Sequence, residues 1–426
     1  MTKYRFIIFA LLFVSLNFHI LRNISGLYLF LPAVLYFLAF LLQLLSKSEN
    51  KTKINNIILL PLLFSLVYII VLSLIYALSG LFYNNITEVL IGASRLLLIP
   101  MIAFLVSKML WTRSRIEKIL LIFSVIAAFG SLTLPYQYIN GEITWFAESS
   151  SRAGFARYSS LFGNLTAIGI VAAIGVITTL FLEKINTLIK SILLTIFIAG
   201  LALSLQKSAV ANLILAIGLS LFFADREQRA RIIKASVAVI IIIILGLSLL
   251  PDIRNIAYAT IQNFGFYSDK LVTRDDDTLG ESMLRRTTEL PHHAISSYGY
   301  EYLFLGVGVI GSAGALGFPK APNTHNSLTD SILTGGILNL IIMFWLLYIM
   351  GREIVRPAPL NPVLSKNQYA CVQAIYFLVV INLPFTSGIL FQPNTALLFY
   401  FFLGLAAAGC FREKQEFRLS AKRPVI

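Results

Sequence analysis

Charge is scarce in this 426-residue chain: Asp, Glu, Lys and Arg together make up 13% of it, and only 20 residues are acidic. A soluble domain of this length is about one-quarter charged, so the deficit points to a lipid environment. Nucleotide and metal signatures are missing too. No GxxxxGK[ST] loop, no GxGxxG placed after a strand, no HExxH and no CxxC pair occurs, which argues against an ATP-driven pump and an NAD enzyme. Of the four histidines, His19 falls in an apolar run and His292 and His293 are adjacent. No metal site and no cofactor is therefore expected. The acidic run Asp275-Asp276-Asp277 reads as solvated loop. The two cysteines, Cys371 and Cys410, both fall in apolar segments, so no disulfide is expected. Ionisable groups are almost absent from those segments. A proton-coupled carrier needs several there, which weakens a transporter reading. The exceptions are Asp330 and Arg95, which either snorkels or pairs inside the bundle.

What the chain has instead is hydrophobic residues, 58% of the total. A crossing helix needs roughly 20 apolar residues. Segments of that kind recur at 5–22, 27–46, 56–79, 88–108, 118–136, 159–183, 186–204, 208–224, 232–250, 328–350, 368–386 and 392–411. Backbone amides in lipid must be bonded internally, so these segments are helices. The expected fold is an all-α polytopic membrane protein of about twelve transmembrane helices. Residues 1–250 hold helices 1–9, 251–327 form one large outer loop, 328–411 hold helices 10–12, and 412–426 form a basic tail.

Lysine and arginine set the orientation. With Lys3 and Arg5 in the cytoplasm, basic clusters fall in every short cytoplasmic turn: Lys47 to Lys53, Lys108 to Lys118, Lys184 and Lys190, Arg226 to Lys234, and Arg352 to Lys366. Both termini are then cytoplasmic. The net charge of +14 becomes largely a belt facing anionic lipid headgroups, and nucleic acid is not an expected partner. The first apolar run lacks a small-residue cleavage site and reads as a retained helix.

Polar chemistry gathers on the opposite side. Loop 137–158 carries Arg152 and Arg157, the turn near 205–207 carries Lys207, and the large loop carries Arg254, Lys270, Arg274, Arg285, Arg286, His292, His293, Lys320 and His325. Outward basic residues run against the usual bias, and an anionic ligand is the simplest reason for them. Arginine's planar fork suits phosphate oxygens. Residues 281–304 mix apolar and polar positions at helical spacing and predict a short amphipathic pair on the membrane surface. GVGVIG (306–311) turns the chain. His325 suits a general base, since an imidazole titrates near pH 6.5. Asn326 or Asp330 would orient it, unless Asp330 caps the helix.

Four stretches carry a family resemblance. THNSLTDSILTGGILNLIIMFWLLYI (324–349) resembles the His-Asn-Ser segment and following helix of the O-antigen ligase/O-antigen polymerase superfamily. Arg285-Arg286 through LFLGVGVIG (303–311) resembles its arginine-to-GxG segment. RYSSLFGNLTAIG (157–169) resembles a helix start of that family, and LSLQKSAVANLIL (203–215) stands where its S-x-S-R-S-A motif falls. The match covers about residues 150–350 in motif terms; the first 110 residues share only the helix pattern.

The resemblance implies a GT-C-like glycosyltransferase of the bacterial inner membrane that is inverting, metal-independent and active at the periplasmic face. Its donor is a polyprenyl-diphosphate-linked glycan, and its acceptor is a second glycan or lipid A-core. Carried over, His325 is the base, and Arg286, with Arg285 as neighbour or substitute, holds the donor diphosphate. Lys207 stands where the family places arginine; it keeps the charge and loses the bidentate geometry. Arg152 and Arg157 occupy the loop where polymerase members carry functional arginines. Asn326 supports the base. The polymerase is preferred over the ligase because of Lys207 and the Arg152/Arg157 loop. A chain-length regulator is a further partner that such an activity admits. A glycolipid transporter and an envelope scaffold working through the 412–426 tail are the alternatives of other classes.

Overall fold

A computed structural model of the chain describes residues 54–79, 106, 111–144, 149–152, 155–161, 165, 167–204 and 206–223. It also describes positions 226, 227, 229, 230, 233, 234, 237, 241, 244 and 248. Further on it describes 285–289, 292, 295, 296, 299, 300, 302–308, 326–355, 364–386, 395, 396 and 398–405. Of these residues 83% are helical, in keeping with an all-α fold. Two of the described helices, Arg113–Asn140 and Ser327–Ile349, are long and apolar enough to cross a membrane. The expected spans 5–22 and 27–46, and all of 88–108 except Val106, lie outside the described residues. Positions 233 to 248 are helical wherever described, as are those between 395 and 405.

The chain forms two compact units. The first contains α2 (Arg113–Asn140), a hairpin of β1 (Ser149–Arg152) and β2 (Phe155–Tyr158), α3 (Ala167–Phe181), α4 (Thr187–Leu203) and α5 (Lys207–Phe223). The first part of a later helix, through Leu378, belongs to it as well. All fifteen residues of α3 are buried, with α2, α4 and α5 packed around it.

The polarity of this unit runs opposite to that of a water-soluble core. On α2 the residues Leu121, Val125, Phe129, Leu132, Tyr136 and Ile139 are exposed at spacings of three and four, while Glu117, Ser124, Ser131 and Gln137 are buried. An apolar stripe outside and polar groups inside is the order that hydrocarbon favours as a solvent. Ser124 Oγ lies 3.1 Å from Thr178 Oγ1, and Thr179 Oγ1 donates to Ser124 Oγ at 3.4 Å, so the polar face of α2 binds α3. Such interhelical bonds contribute about 0.6–2 kcal/mol each in a bilayer. Small residues bring the helices close: a Cβ on Gly200 of α4 would sit 2.9 Å from Ser131 Cβ.

The short connection between α3 and α4 is set by buried charge. Glu117 Oε1 accepts from the amides of Glu183 at 2.6 Å and Lys184 at 3.0 Å, and its Oε2 accepts from Gln368 Nε2 at 3.3 Å. Lys190 Nζ donates to Leu182 O at 3.0 Å, and Asn186 caps α4 by accepting from Leu188 N. The turn is thus held from both sides. Replacing Glu117 with alanine removes the acceptor of two part-buried amides and should lower stability by about 1–2 kcal/mol. Thermal unfolding in detergent should show this as a lowered midpoint, with Glu117→Gln, which keeps one acceptor, falling less.

One boundary differs from expectation. The described residues 159–161 are not helical; β2 precedes them and α3 starts at Ala167. The backbone there is claimed by side chains: Gln137 Nε2 donates to Ser159 O at 2.9 Å and Arg157 Nη2 to Leu165 O at 2.6 Å. The hairpin also departs from the loop expected over 137–158, whose first residues extend α2 to Asn140.

The second unit contains α1 (Ile54–Ser79), a π-helical turn (Arg285–Glu289), α6 (Tyr302–Leu305) and α7 (Ser327–Val355). It also takes the end of α8 (Lys366–Asn382) from Val379 onward. Here too the outward positions are apolar: Phe64, Val67, Val71, Ile75 and Leu78 on α1, and Ile337, Ile341, Phe344, Trp345 and Tyr348 on α7. The long helix α7 is broken. Gly335 (φ −141, ψ 26) and Gly336 (φ 69, ψ −172) leave helical geometry within the segment expected to be one continuous span.

Candidate functional site

In the first unit the sequence pointed to Arg152, Arg157 and Lys207. Arg157 sits on β2, opposite Ser150, and Arg152 pairs with Phe155 at the tip of the hairpin. The Arg157 guanidinium donates from Nε to Ser204 O at 2.9 Å and from Nη2 to Leu165 O at 2.6 Å. Ser204 ends α4, and α5 begins at Lys207, so Arg157 ties the hairpin to the turn that delivers Lys207. Neighbouring groups reinforce the latch. Tyr138 Oη lies 2.7 Å from Ala156 O and 3.3 Å from Leu203 O, and its ring meets Tyr158 edge-on at 5.2 Å. Gln137 accepts from Ile143 N at 3.3 Å through Oε1. The structure therefore brings Arg157 beside the backbone leading to Lys207, with two of its N–H groups engaged by carbonyls.

In the second unit Arg285 and Arg286 open the π-helical turn. A wide turn of this kind is frequent at functional sites. Downstream, Tyr300 Oη lies 2.9 Å from His292 Nε2, closing a bracket around residues 292–300 that contains Gly299 at φ 111. The chain then runs through α6 into Gly306, Val307 and Gly308, and the two glycines take φ 81 and φ 89. This is where a turn was expected.

The glycine segment lies on the break in α7. Val307 N donates to Leu333 O at 2.6 Å and Gly308 N to Thr334 O at 3.1 Å. In an unbroken helix those carbonyls would accept from residues 337 and 338; here amides from another segment satisfy them. Asn339 Nδ2 supplies the next link, donating to Ser331 O and Ser331 Oγ, both at 3.0 Å. From α1, Tyr68 Oη donates to Leu305 O at 2.8 Å and Tyr76 Oη to Gly306 O at 3.1 Å. Three glycine backbones meet at the crossing: a Cβ on Gly306 would lie 2.6 Å from Gly336 N and 2.7 Å from Gly335 Cα.

The start of α7 is fully capped. Asn326 Oδ1 accepts from Leu328 N at 2.9 Å and Thr329 N at 3.3 Å, Asp330 N reaches Asn326 O at 3.0 Å, and Ser327 N reaches Leu383 O at 2.8 Å. Ser327 Oγ donates to Thr386 O. Asn326, expected to support the base, is the N-cap, and Asp330 stands in the first turn. All four leading amides are engaged, so this helix start is not a phosphate cradle and an anion here would depend on side chains. His325 itself, the side chains of Arg152, Lys207, Arg285 and Arg286, and the positions Arg95, Cys410 and 412–426 lie outside what is described. Cys371 lies in helix α8, as expected, and is buried there. Among the described residues no group of three or more His, Cys, Asp or Glu is placed to hold a metal ion.

Sequence reasoning overlooked Tyr68, Tyr76 and Asn339. Their signal was polar tips in otherwise aliphatic helices, where each buried polar group needs a partner. No family model matches the chain, and no curated protein matches it.

Proposed function

We propose that the protein is a membrane glycosyltransferase that joins polyprenyl-diphosphate-linked oligosaccharide repeats at the periplasmic face of the bacterial inner membrane. The observation that carries the reading is the ordered set of sequence motifs, Arg157 with its helix start, Lys207, Arg285-Arg286 with GVGVIG, and His325-Asn326-Ser327, which resembles the O-antigen ligase/O-antigen polymerase superfamily. The seating of Gly306–Gly308 on α7 supports it, because two of those motifs then belong to one hydrogen-bonded assembly.

The chemistry balances without a cofactor. His325 takes the proton from an acceptor hydroxyl as its oxygen attacks the anomeric carbon. The bond from that carbon to the diphosphate oxygen breaks, and polyprenyl diphosphate leaves with its charge offset by Arg286 and Arg285. Two lipid-anchored substrates held at one surface supply the orientation. Inversion follows from a single displacement.

Purified protein in vesicles given lipid-linked repeats alone should lengthen them. Transfer only after lipid A-core is added would instead establish the ligase. A second reading, a glycolipid transporter, draws on the break in α7, because discontinuous helices line substrate paths in carriers. It predicts glycolipid movement that survives His325→Ala.

A further inference from the structure

The arginine-bearing segment and the helix that follows His325 are far apart in the chain for loop contacts alone to hold them in register. Between Arg285 and Gly308 the described backbone is a π-turn, a few helical positions and the four-residue α6, none of which is stable alone. What fixes the end of this segment is α1. Tyr76 is 7% exposed and donates to Gly306 O, and Tyr68, two turns earlier on the same helix, donates to Leu305 O. Those bonds aim the next two amides at Leu333 O and Thr334 O. The segment is bound on one side by α1 and on the other by the break in α7. Upstream, the His292–Tyr300 contact and the bonds Gly299 N to Ile295 O (3.0 Å) and Leu303 N to Tyr300 O (3.1 Å) shorten the tether back to the arginines.

We infer that Tyr76, assisted by Tyr68, is a positioning residue for the donor diphosphate: by holding the 305–308 backbone against α7 it sets where Arg285 and Arg286 stand relative to the start of that helix. The inference rests on the reading of those arginines as diphosphate ligands. It gives α1 a role in a site that the motifs confined to residues beyond 150. The hydroxyls do no chemistry; they restrict a backbone that otherwise samples many positions, and the restriction is worth most when two charges must meet one anion.

The test is Tyr76→Phe alone and combined with Tyr68→Phe, each removing hydroxyls and keeping the rings. Tyr348→Phe, on an exposed position of α7, is the control. Hydrogen exchange of the 302–308 peptide is read beside steady-state transfer and thermal unfolding. The double variant should exchange the Val307 and Gly308 amides about tenfold faster and raise the apparent KM for lipid-linked donor about tenfold, with kcat and the acceptor KM within about twofold. Tyr68→Phe alone gives a smaller shift of the same kind and serves if Tyr76→Phe does not fold. Faster exchange with an unchanged donor KM, or unchanged exchange, overturns the inference and leaves the transferase reading intact. An unaltered protein that transfers nothing removes the reading, and the inference with it.

Discussion

Gly336→Ala is expected to prevent the second unit from reaching its described fold, the largest effect of a single added methyl group among the described glycines. Gly336 has φ 69 and ψ −172, a region essentially reserved for glycine, and entering it costs an L-residue about 1–3 kcal/mol. Sterics add to that. A Cβ there would lie 1.9 Å from Phe304 O and 2.4 Å from Phe304 C, both backbone atoms with no rotamer to yield. Relieving the overlap means lifting the 304–308 segment, which gives up the bonds from Val307, Gly308, Tyr68 and Tyr76, each worth about 0.5–1.5 kcal/mol. The total is a large share of a marginal stability of about 5–15 kcal/mol. Size-exclusion of detergent-extracted protein should show aggregate or very little material. Gly218→Ala on α5 is the matched control: nothing lies within 4 Å of its Cβ, and alanine there should leave stability unchanged or raise it by up to about 1 kcal/mol. A well-folded Gly336→Ala protein would mean that α7 is continuous.

His325→Ala should lower glycan transfer by about 10²–10⁴-fold, the usual contribution of a positioned general base. The neighbouring residue separates chemistry from folding. Asn326 has its side-chain oxygen committed to two amides of α7, so Asn326→Ala should cost about 1 kcal/mol of stability and far less activity at a permissive temperature. If Asn326→Ala matched His325→Ala in lost transfer at equal unfolding midpoints, the helix start itself would be the active element and the base assignment would fail. If His325→Ala kept full glycan assembly in cells at normal expression, the transporter reading would take its place.

Much of the helical pattern was legible because length and apolar content decide it. The close pair α3 and α4 was expected as 159–183 and 186–204, and the structure gives two helices joined by a short capped turn. Local signals also worked at Gly306 and Gly308, whose positive φ values fall where glycines called for a turn. The break in α7 was missed because Thr334-Gly335-Gly336 sits in an apolar run long enough to read as one span, and a glycine doublet does not announce which backbone will cross it. The hairpin was missed because SSSRAGFARY has neither strand alternation nor a long apolar run. Arg157 was read as a supporting residue of the outer basic cluster, and its carbonyl partners lie eight and forty-seven residues away. Tyr76 and Gly306 are 230 residues apart. Periodicity reports which face of a helix is buried and is silent on which distant backbone needs a donor.

We propose that the protein makes glycosidic bonds from a polyprenyl-diphosphate donor by single displacement without a metal. The most direct measurement is the anomeric configuration of the bond formed by purified protein from labelled lipid-linked repeats in excess chelator. The account predicts a new bond of inverted configuration, formed in chelator with release of polyprenyl diphosphate. A retained configuration, a requirement for divalent cation, or no bond from any lipid-linked repeat would contradict it.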